Sequence, residues 1–170
     1  MCKRVCVLVL LVVLTSCGYR AEMATEESSV LFYQGLKMFY LGEFPQAREY
    51  FKRTVSRDRK NDAAFYYLAQ IAGYAGQWEE SGEYLDKALK LDPGNYWYRL
   101  QQAKLAIASG KEEEAGSLYE NLWLDYPAKT ELLYDLIGLY MNGRKTDKAL
   151  KLLDTLEARE GVTESGLLLR

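Results

Sequence analysis

The side chains that most often carry chemistry are scarce in this chain. It contains no histidine and three cysteines, at positions 2, 6 and 17. A catalytic or metal-binding cysteine usually works together with histidine, and that partner is missing. Cys17 stands directly behind an apolar run, and no cysteine follows it. The sequence therefore predicts a role for Cys17 other than catalysis or metal binding.

Carboxylates are the other groups with chemical potential, and they cluster where helices are expected to begin. Glu112, Glu113 and Glu114 follow one another, and Glu79 and Glu80 form a second acidic pair. Negative charge is favourable at a helix N-terminus, so both groups are predicted to be solvated helix starts. The sequence has no glycine-rich phosphate loop and no metal-ligand cluster. It therefore predicts a protein that is not an enzyme and uses no cofactor.

The composition is that of a globular protein. Of the 170 residues, 49% are hydrophobic and 27% are charged, and only three are proline. The formal net charge is -2, and acidic and basic residues are interspersed after residue 20. No basic stripe could track phosphates, which argues against a nucleic-acid partner. Fourteen tyrosines are the one excess.

Residues 1–16 have the layout of an export signal. Lys3 and Arg4 precede an uncharged apolar run from Val5 to Leu14, and small polar residues follow it. This run has about ten residues, whereas a bilayer core takes about 20 helical residues. Residues 1–16 are therefore predicted to be a removed signal.

The stretch LTSC, which ends at Cys17, resembles the lipobox of bacterial lipoproteins. The resemblance implies lipid attachment at Cys17, with residues 17–27 as a lipidated tether to a membrane of the cell envelope. Residue 18 is glycine, whereas an aspartate directly after the lipidated cysteine retains lipoproteins on the inner membrane. The resemblance therefore favours the outer membrane, with a periplasmic or surface-exposed domain. The alternative is a free or buried Cys17 that happens to follow a signal.

A regular repeat is the strongest pattern in the rest of the chain. Small residues recur at a constant interval, and a large apolar residue follows each of them four positions later. The small residues are Ala47, Ser81, Ala115 and Ala149, and the large ones are Phe51, Leu85, Tyr119 and Leu153, which gives a 34-residue period. Apolar spacing is helical on both sides of a glycine break. Each unit is therefore predicted to be two closely packed helices, with the large side chain filling the space between them.

The units resemble the tetratricopeptide repeat. The second matches best, through Ala69, Gly76, Trp78, Leu85, Ala88 and Pro93. The resemblance implies an all-α superhelical solenoid of antiparallel helix pairs, with repeats at residues 28–61, 62–95, 96–129 and 130–161. Residues 162–170 look like the start of a truncated further helix.

Three positions depart from the repeat pattern. Arg59 replaces the usual proline, and Ile137 replaces a small residue. The turn glycine of the fourth unit, Gly143, comes one position early. Between the second and third units, Asn95 is predicted to cap the helix that follows it.

The resemblance also implies a concave groove lined from the first helix of each repeat. The residues at these positions are Phe32, Tyr33, Tyr66, Tyr67, Gln70, Tyr74, Trp97, Gln101, Lys104 and Tyr134. Rings with hydroxyl and amide groups suit extended peptides or glycans. Any single ring could alternatively pack between repeats and not face the groove. Lys104 is the only cation of the set, which argues against recognition of a peptide's terminal carboxylate.

Fold and anchor together predict a non-catalytic scaffold that docks protein partners in the bacterial cell envelope. The alternative is a binding module that captures peptides or glycans in its aromatic groove.

Overall fold

The structure, a computed structural model, describes residues 27–161. They form eight α-helices joined by turns and contain no β-strand. The first helix, α1, spans residues 27–40. The others are α2 (Phe44–Arg57), α3 (Asp62–Tyr74), α4 (Trp78–Leu91), α5 (Tyr96–Ala108), α6 (Glu112–Asp125), α7 (Glu131–Asn142) and α8 (Thr146–Glu160). The predicted all-α class is confirmed, whereas the expected signal, Cys17 and residues 162–170 lie outside the described residues.

The predicted period is visible in the turns between paired helices. The second helices begin at equal intervals along the chain, at Phe44, Trp78, Glu112 and Thr146. Before each of them, one residue has a left-handed backbone, with φ of 79° at Gly42, 71° at Gly76, 73° at Gly110 and 57° at Arg144. The early glycine of the fourth unit does not shift this turn, because Gly143 has φ of -79°. Arg144 instead adopts the conformation that favours glycine.

The small and large residues of the period form the interior of each helix pair. The small residues, Ala47, Ser81, Ala115 and Ala149, are at most 2% exposed, and so are Phe51, Leu85, Tyr119 and Leu153. Contact is so close that a Cβ atom placed on Gly35 would lie 2.7 Å from Cε1 of Phe51. Ser81 satisfies its buried hydroxyl by donating a 2.8 Å hydrogen bond to the carbonyl oxygen of Ala69.

Ile137 occupies the position where the repeat pattern has a small residue, and it is only 2% exposed. It lies on α7, which packs against both α6 and α8. Leu132, Leu133 and Leu136 of the same helix have no exposed surface. A helix buried on several sides carries apolar side chains around much of its circumference, and Ile137 accordingly forms part of the apolar core of the second unit.

The helices fall into two compact units, which divide between Leu91 and Asp92. In the first, α3 packs against α2 and α4 around Phe51, Leu68 and Ile71. In the second, α5 packs on α6, and α7 lies between α6 and α8. Within residues 27–161, no helix is both long and apolar enough to cross a bilayer.

Two asparagines fix the beginnings of α3 and α5. The side-chain oxygen of Asn61 accepts a 2.9 Å hydrogen bond from the backbone N–H of Ala64. Asn95 accepts a 3.1 Å bond from the N–H of Trp97, as predicted from the sequence. These caps satisfy N–H groups that have no partner within the helix. They start the two helices that carry Tyr66 and Trp97.

Candidate binding surface

The first unit presents a stripe of tyrosines along α1 and α3. Tyr33 and Tyr40 are seven residues apart on α1, and Tyr67 and Tyr74 are seven apart on α3, so each pair shares one helix face. Tyr33 is 68% exposed, Tyr40 75% and Tyr74 66%. We define the tyrosine face as the set Tyr33, Tyr40, Tyr66, Tyr67, Gln70 and Tyr74.

Tyr67 joins the two helices and supports the face from beneath. Its hydroxyl lies 3.3 Å from that of Tyr40, within hydrogen-bond distance. Its ring stacks on Phe51 with centroids 5.2 Å apart and an 11° angle between the planes. Phe32 is also half-buried and packs on the same core. Phe32 and Tyr67, both predicted to line the groove, therefore contribute largely to packing.

Tyr66 and Gln70 are half-buried beside the exposed rings. Burial raises the pKa of Tyr66, and a hydrogen bond with Gln70 lowers it in part. Burial also raises the pKa of Tyr67, and the hydrogen bond with Tyr40 adds to the effect. Both hydroxyls therefore remain protonated and able to donate at neutral pH.

A cavity of about 430 Å³ lies next to Tyr74, where α2 begins and α3 ends. Apolar side chains dominate its lining, among them Phe44 and Ile71, and Arg48 is its one charged side chain. The rings of Phe44 and Tyr74 lie 5.3 Å apart. This arrangement can accept an apolar group beside the tyrosine face.

The second unit carries the remaining predicted groove residues. Trp97 is 59% exposed and Tyr134 is 39% exposed. Lys104 is exposed and Gln101 is half-buried. Trp97 meets the ring of Tyr96 edge to face, with centroids 5.0 Å apart. In the described part of the chain, no group of histidine, cysteine or acidic side chains is placed to hold a metal ion.

Sequence reasoning missed contacts between successive helix pairs. Glu80, predicted to be a solvated helix start, pairs with Arg48 at 2.5 Å, and Glu113 pairs with Lys145. This second contact lowers the pKa of Glu113, first through its hydrogen bond and then through its charge. Each pair is 32 residues apart. Opposite charges that recur at this spacing were present in the sequence, and they could have predicted these ion pairs.

Tyrosine hydroxyls also form contacts that the sequence did not predict. Burial raises the pKa of Tyr119, and the charge and hydrogen bond of Asp135 raise it further. Tyr140 donates a 2.5 Å hydrogen bond to Glu120. Tyr119 and Glu120 lie on α6, whereas Asp135 and Tyr140 lie on α7, so these tyrosines join the second helix of one pair to the first helix of the next.

Models of the tetratricopeptide repeat match residues 34–96 and 106–164. No sequence among curated proteins matches the chain. Several solved structures do. A tetratricopeptide repeat protein from Parabacteroides merdae is 20% identical, with a TM-score of 0.76 over 85% of this chain, which spans 57% of that protein.

Two other structures concern peptide binding in their own proteins. YrrB, described as a repeat protein with an unusual peptide-binding site, is 17% identical, with a TM-score of 0.69 over 94% of this chain and 86% of its own. The first repeat domain of Spaghetti (RPAP3), solved with an HSP90 peptide, is 19% identical, with a TM-score of 0.63 over 69% of this chain and 95% of its own. At these identities the likeness concerns the fold.

Tetratricopeptide repeats are protein–protein interaction modules, some of which bind peptides, and the fold is generally a non-catalytic scaffold. The two matched segments cover most of residues 34–164. The 34-residue spacing, the burial of its small and large residues and the two family matches all indicate the same repeat. The chain belongs to the tetratricopeptide repeat family, and its fold is an all-α repeat solenoid.

Proposed function

We propose that this protein is a lipid-anchored, non-catalytic scaffold of the bacterial cell envelope that docks protein partners on its tyrosine face. The observation that carries the docking role is the exposure of Tyr33, Tyr40 and Tyr74 along one side of α1 and α3. Large exposed rings that are not needed for the core are typical of interaction sites. The family's general role as an interaction module supports the same conclusion.

The anchor is argued from the sequence. Charged residues, an apolar run and the LTSC stretch precede Cys17 in the order of a lipoprotein signal. Two or three acyl chains at Cys17 would hold the protein stably, since one chain alone gives only marginal binding. We propose the outer membrane because residue 18 is glycine and not the aspartate that retains lipoproteins on the inner membrane.

Mass spectrometry of the mature amino terminus tests the anchor. We expect diacylglycerol on Cys17 and loss of residues 1–16. Cys17→Ala should leave an unlipidated protein with an uncut signal, whereas Cys6→Ala should change nothing in the mature form. An unmodified Cys17 behind a signal cut elsewhere contradicts the lipoprotein proposal.

Site-specific photocrosslinking in intact cells tests the docking surface. A crosslinking amino acid at Tyr74 should capture envelope proteins, and the Tyr33→Ala and Tyr40→Ala changes should reduce that capture. The matched control is the same amino acid at Lys90, which is exposed on α4 and does not belong to the tyrosine face. Capture at Lys90 but not at Tyr74 would show that partners dock elsewhere.

Capture of glycans is the second candidate, because exposed rings such as Trp97 and Tyr74 can stack on sugars as well as on peptides. Titration with peptidoglycan fragments tests it. Saturable binding that Trp97→Ala or Tyr74→Ala abolishes would favour the glycan role over the protein scaffold.

A further inference from the structure

The tyrosine face lies on helix segments that carry little charge. Beyond the first residue of each helix, Glu27 and Asp62, residues 28–40 of α1 and 63–74 of α3 contain no aspartate and no glutamate. Lys37 is the only charged residue in the two segments. The α7 helix of the second unit, in contrast, carries Asp135 in its interior. The tyrosine face therefore offers no carboxylate to a ligand that must donate hydrogen bonds.

The polar groups of the face are suited to donating hydrogen bonds. Hydroxyls of Tyr33, Tyr40 and Tyr74 belong to strongly exposed side chains. Gln70 adds an amide, and Lys37, which lies beside the face between Tyr33 and Tyr40 on α1, adds an ammonium group. Hydroxyls and amides can accept as well as donate, but an ammonium group only donates. A ligand that is rich in acceptors and poor in donors fits this set.

The rings are held in place by aromatic neighbours. Tyr40 meets Phe39 edge to face at 5.6 Å, and Tyr33 meets Phe32 at 6.1 Å. Tyr74 lies 5.3 Å from Phe44 and 6.2 Å from Phe39. Rings fixed in this way lose little conformational freedom when a ligand binds. The face is therefore preorganised.

We propose that the tyrosine face binds a proline-rich peptide in the polyproline II conformation. This inference rests on the proposed docking function and names the chemistry of the partner. Proline has no N–H and presents only its carbonyl oxygen, so a proline-rich segment is an acceptor without donors. Its rings add apolar area that packs on tyrosine, and aromatic-lined grooves exploit the preformed polyproline II helix.

The spacing of the tyrosines agrees with this ligand. Tyr33 and Tyr40 are seven residues apart, which corresponds to about 10 Å along a helix axis. One polyproline II turn of three residues advances about 9 Å. Successive turns of the peptide can therefore meet successive tyrosines on α1. The apolar cavity beside Tyr74 can take a side chain at one end of such a peptide.

An oligosaccharide fits the tyrosine face less well. Each sugar hydroxyl is a donor as well as an acceptor, and a bound sugar needs acceptors from the protein. Segments 28–40 and 63–74 supply no carboxylate for this purpose, and the tyrosine hydroxyls and the Gln70 carbonyl are weaker, uncharged acceptors. The peptide is therefore the occupant that the hydrogen-bonding groups favour.

Isothermal titration of the full chain in detergent micelles tests the proposal. The probes are an uncharged oligoproline peptide with both ends capped, a glycine–serine peptide of the same length, and chitohexaose. We expect saturable binding of oligoproline and none of the other two. Tyr33→Ala and Tyr74→Ala should each weaken binding by about tenfold. The matched control, Leu124→Ala, removes a similarly exposed apolar side chain from α6 and should leave binding unchanged.

Variants at Tyr33 and Tyr74 are expected to fold, because both side chains are mostly exposed, and circular dichroism checks this. No binding of oligoproline, or equal binding by wild type and Tyr74→Ala, overturns the proposal. Chitohexaose binding without oligoproline binding also overturns it. If crosslinking at Tyr74 still captures proteins in that case, the docking function stands and only the peptide class is wrong.

Discussion

Arg48 donates two hydrogen bonds from one guanidinium nitrogen to the carboxylate of Glu80, at 2.5 Å and 2.6 Å. The two residues lie on α2 and α4, the second helices of successive pairs. Each side chain keeps 30% of its surface exposed, so water screens the pair only in part. The contact therefore links the first repeat to the second.

A double-mutant cycle measures this link. Arg48→Met and Glu80→Gln, made singly and together, should show a coupling free energy of about 1 kcal/mol in denaturant unfolding. The control pair is Lys111 and Glu114, which are 3.3 Å apart and more than half exposed. We expect less than about 0.5 kcal/mol there. Equal coupling in the two cycles would contradict the prediction.

Two helical glycines should respond to alanine in opposite directions. A Cβ on Gly35 would lie 2.7 Å from the buried ring of Phe51, so Gly35→Ala should destabilise the protein by about 1 to 3 kcal/mol. A Cβ on Gly138, inside α7, would meet no atom within 4 Å. Gly138→Ala should therefore stabilise by about 0.5 to 1 kcal/mol.

Urea midpoints of the two glycine variants check the prediction, with circular dichroism to confirm helicity. Gly35→Ala should unfold at lower urea than wild type, and Gly138→Ala at higher urea. A Gly35→Ala midpoint at or above that of wild type would show that the close packing around Phe51 is wrong, and a lower midpoint for Gly138→Ala would contradict the open space beside Gly138.

The helices and the core were predictable because they depend on spacing within the chain. Small and large residues four apart, such as Ala115 and Tyr119, lie on one helix face and favour close packing of paired helices, and the sequence repeats this pattern. The second helices accordingly begin at equal intervals along the chain. The ion pair between Arg48 and Glu80 depends instead on how neighbouring helix pairs lie relative to each other. The sequence of a single repeat does not specify that arrangement.

The candidate surface was predictable only as a set of positions. Tyr66 and Tyr67 are adjacent on α3, yet Tyr67 stacks on the buried Phe51. The resemblance to the family assigns both to the groove, because it gives the position along the helix and not the depth of each ring. Which rings are exposed depends on the neighbours that cover them, as Phe32 and Phe51 do for Tyr67.

Alkaline pH should weaken the fold through Tyr119, which is 2% exposed. Burial and the Asp135 carboxylate raise its pKa above the usual value of 10. The folded state then keeps a proton that the unfolded chain loses, so the stabilising effect is complete below about pH 10 and declines above it. One such group lowers the free energy of unfolding by up to about 1.4 kcal/mol per pH unit.

Tyr119→Phe tests this contribution. The variant loses the hydrogen bond to Asp135 and should be less stable by about 1 kcal/mol at pH 8. Its deficit should shrink between pH 9 and pH 11, because phenylalanine does not ionise. Urea unfolding across this range measures the difference, and a deficit that is independent of pH would contradict the prediction.

Arg144 should be replaceable by glycine with a gain in stability. It is the one non-glycine residue with positive φ in the described part of the chain, at 57°, and a left-handed backbone costs an ordinary residue about 1 to 2 kcal/mol. Glycine removes this strain but loses more entropy on folding, about 0.5 to 1 kcal/mol. Arg144→Gly should therefore raise the free energy of unfolding by about 0.5 to 1 kcal/mol, measured by denaturant unfolding. The matched control is Gly110→Arg, which places arginine at the same turn position of the third repeat, where φ is 73°. That variant should be destabilised to a similar extent, and a loss of stability in Arg144→Gly would show that the arginine side chain outweighs the strain of its backbone.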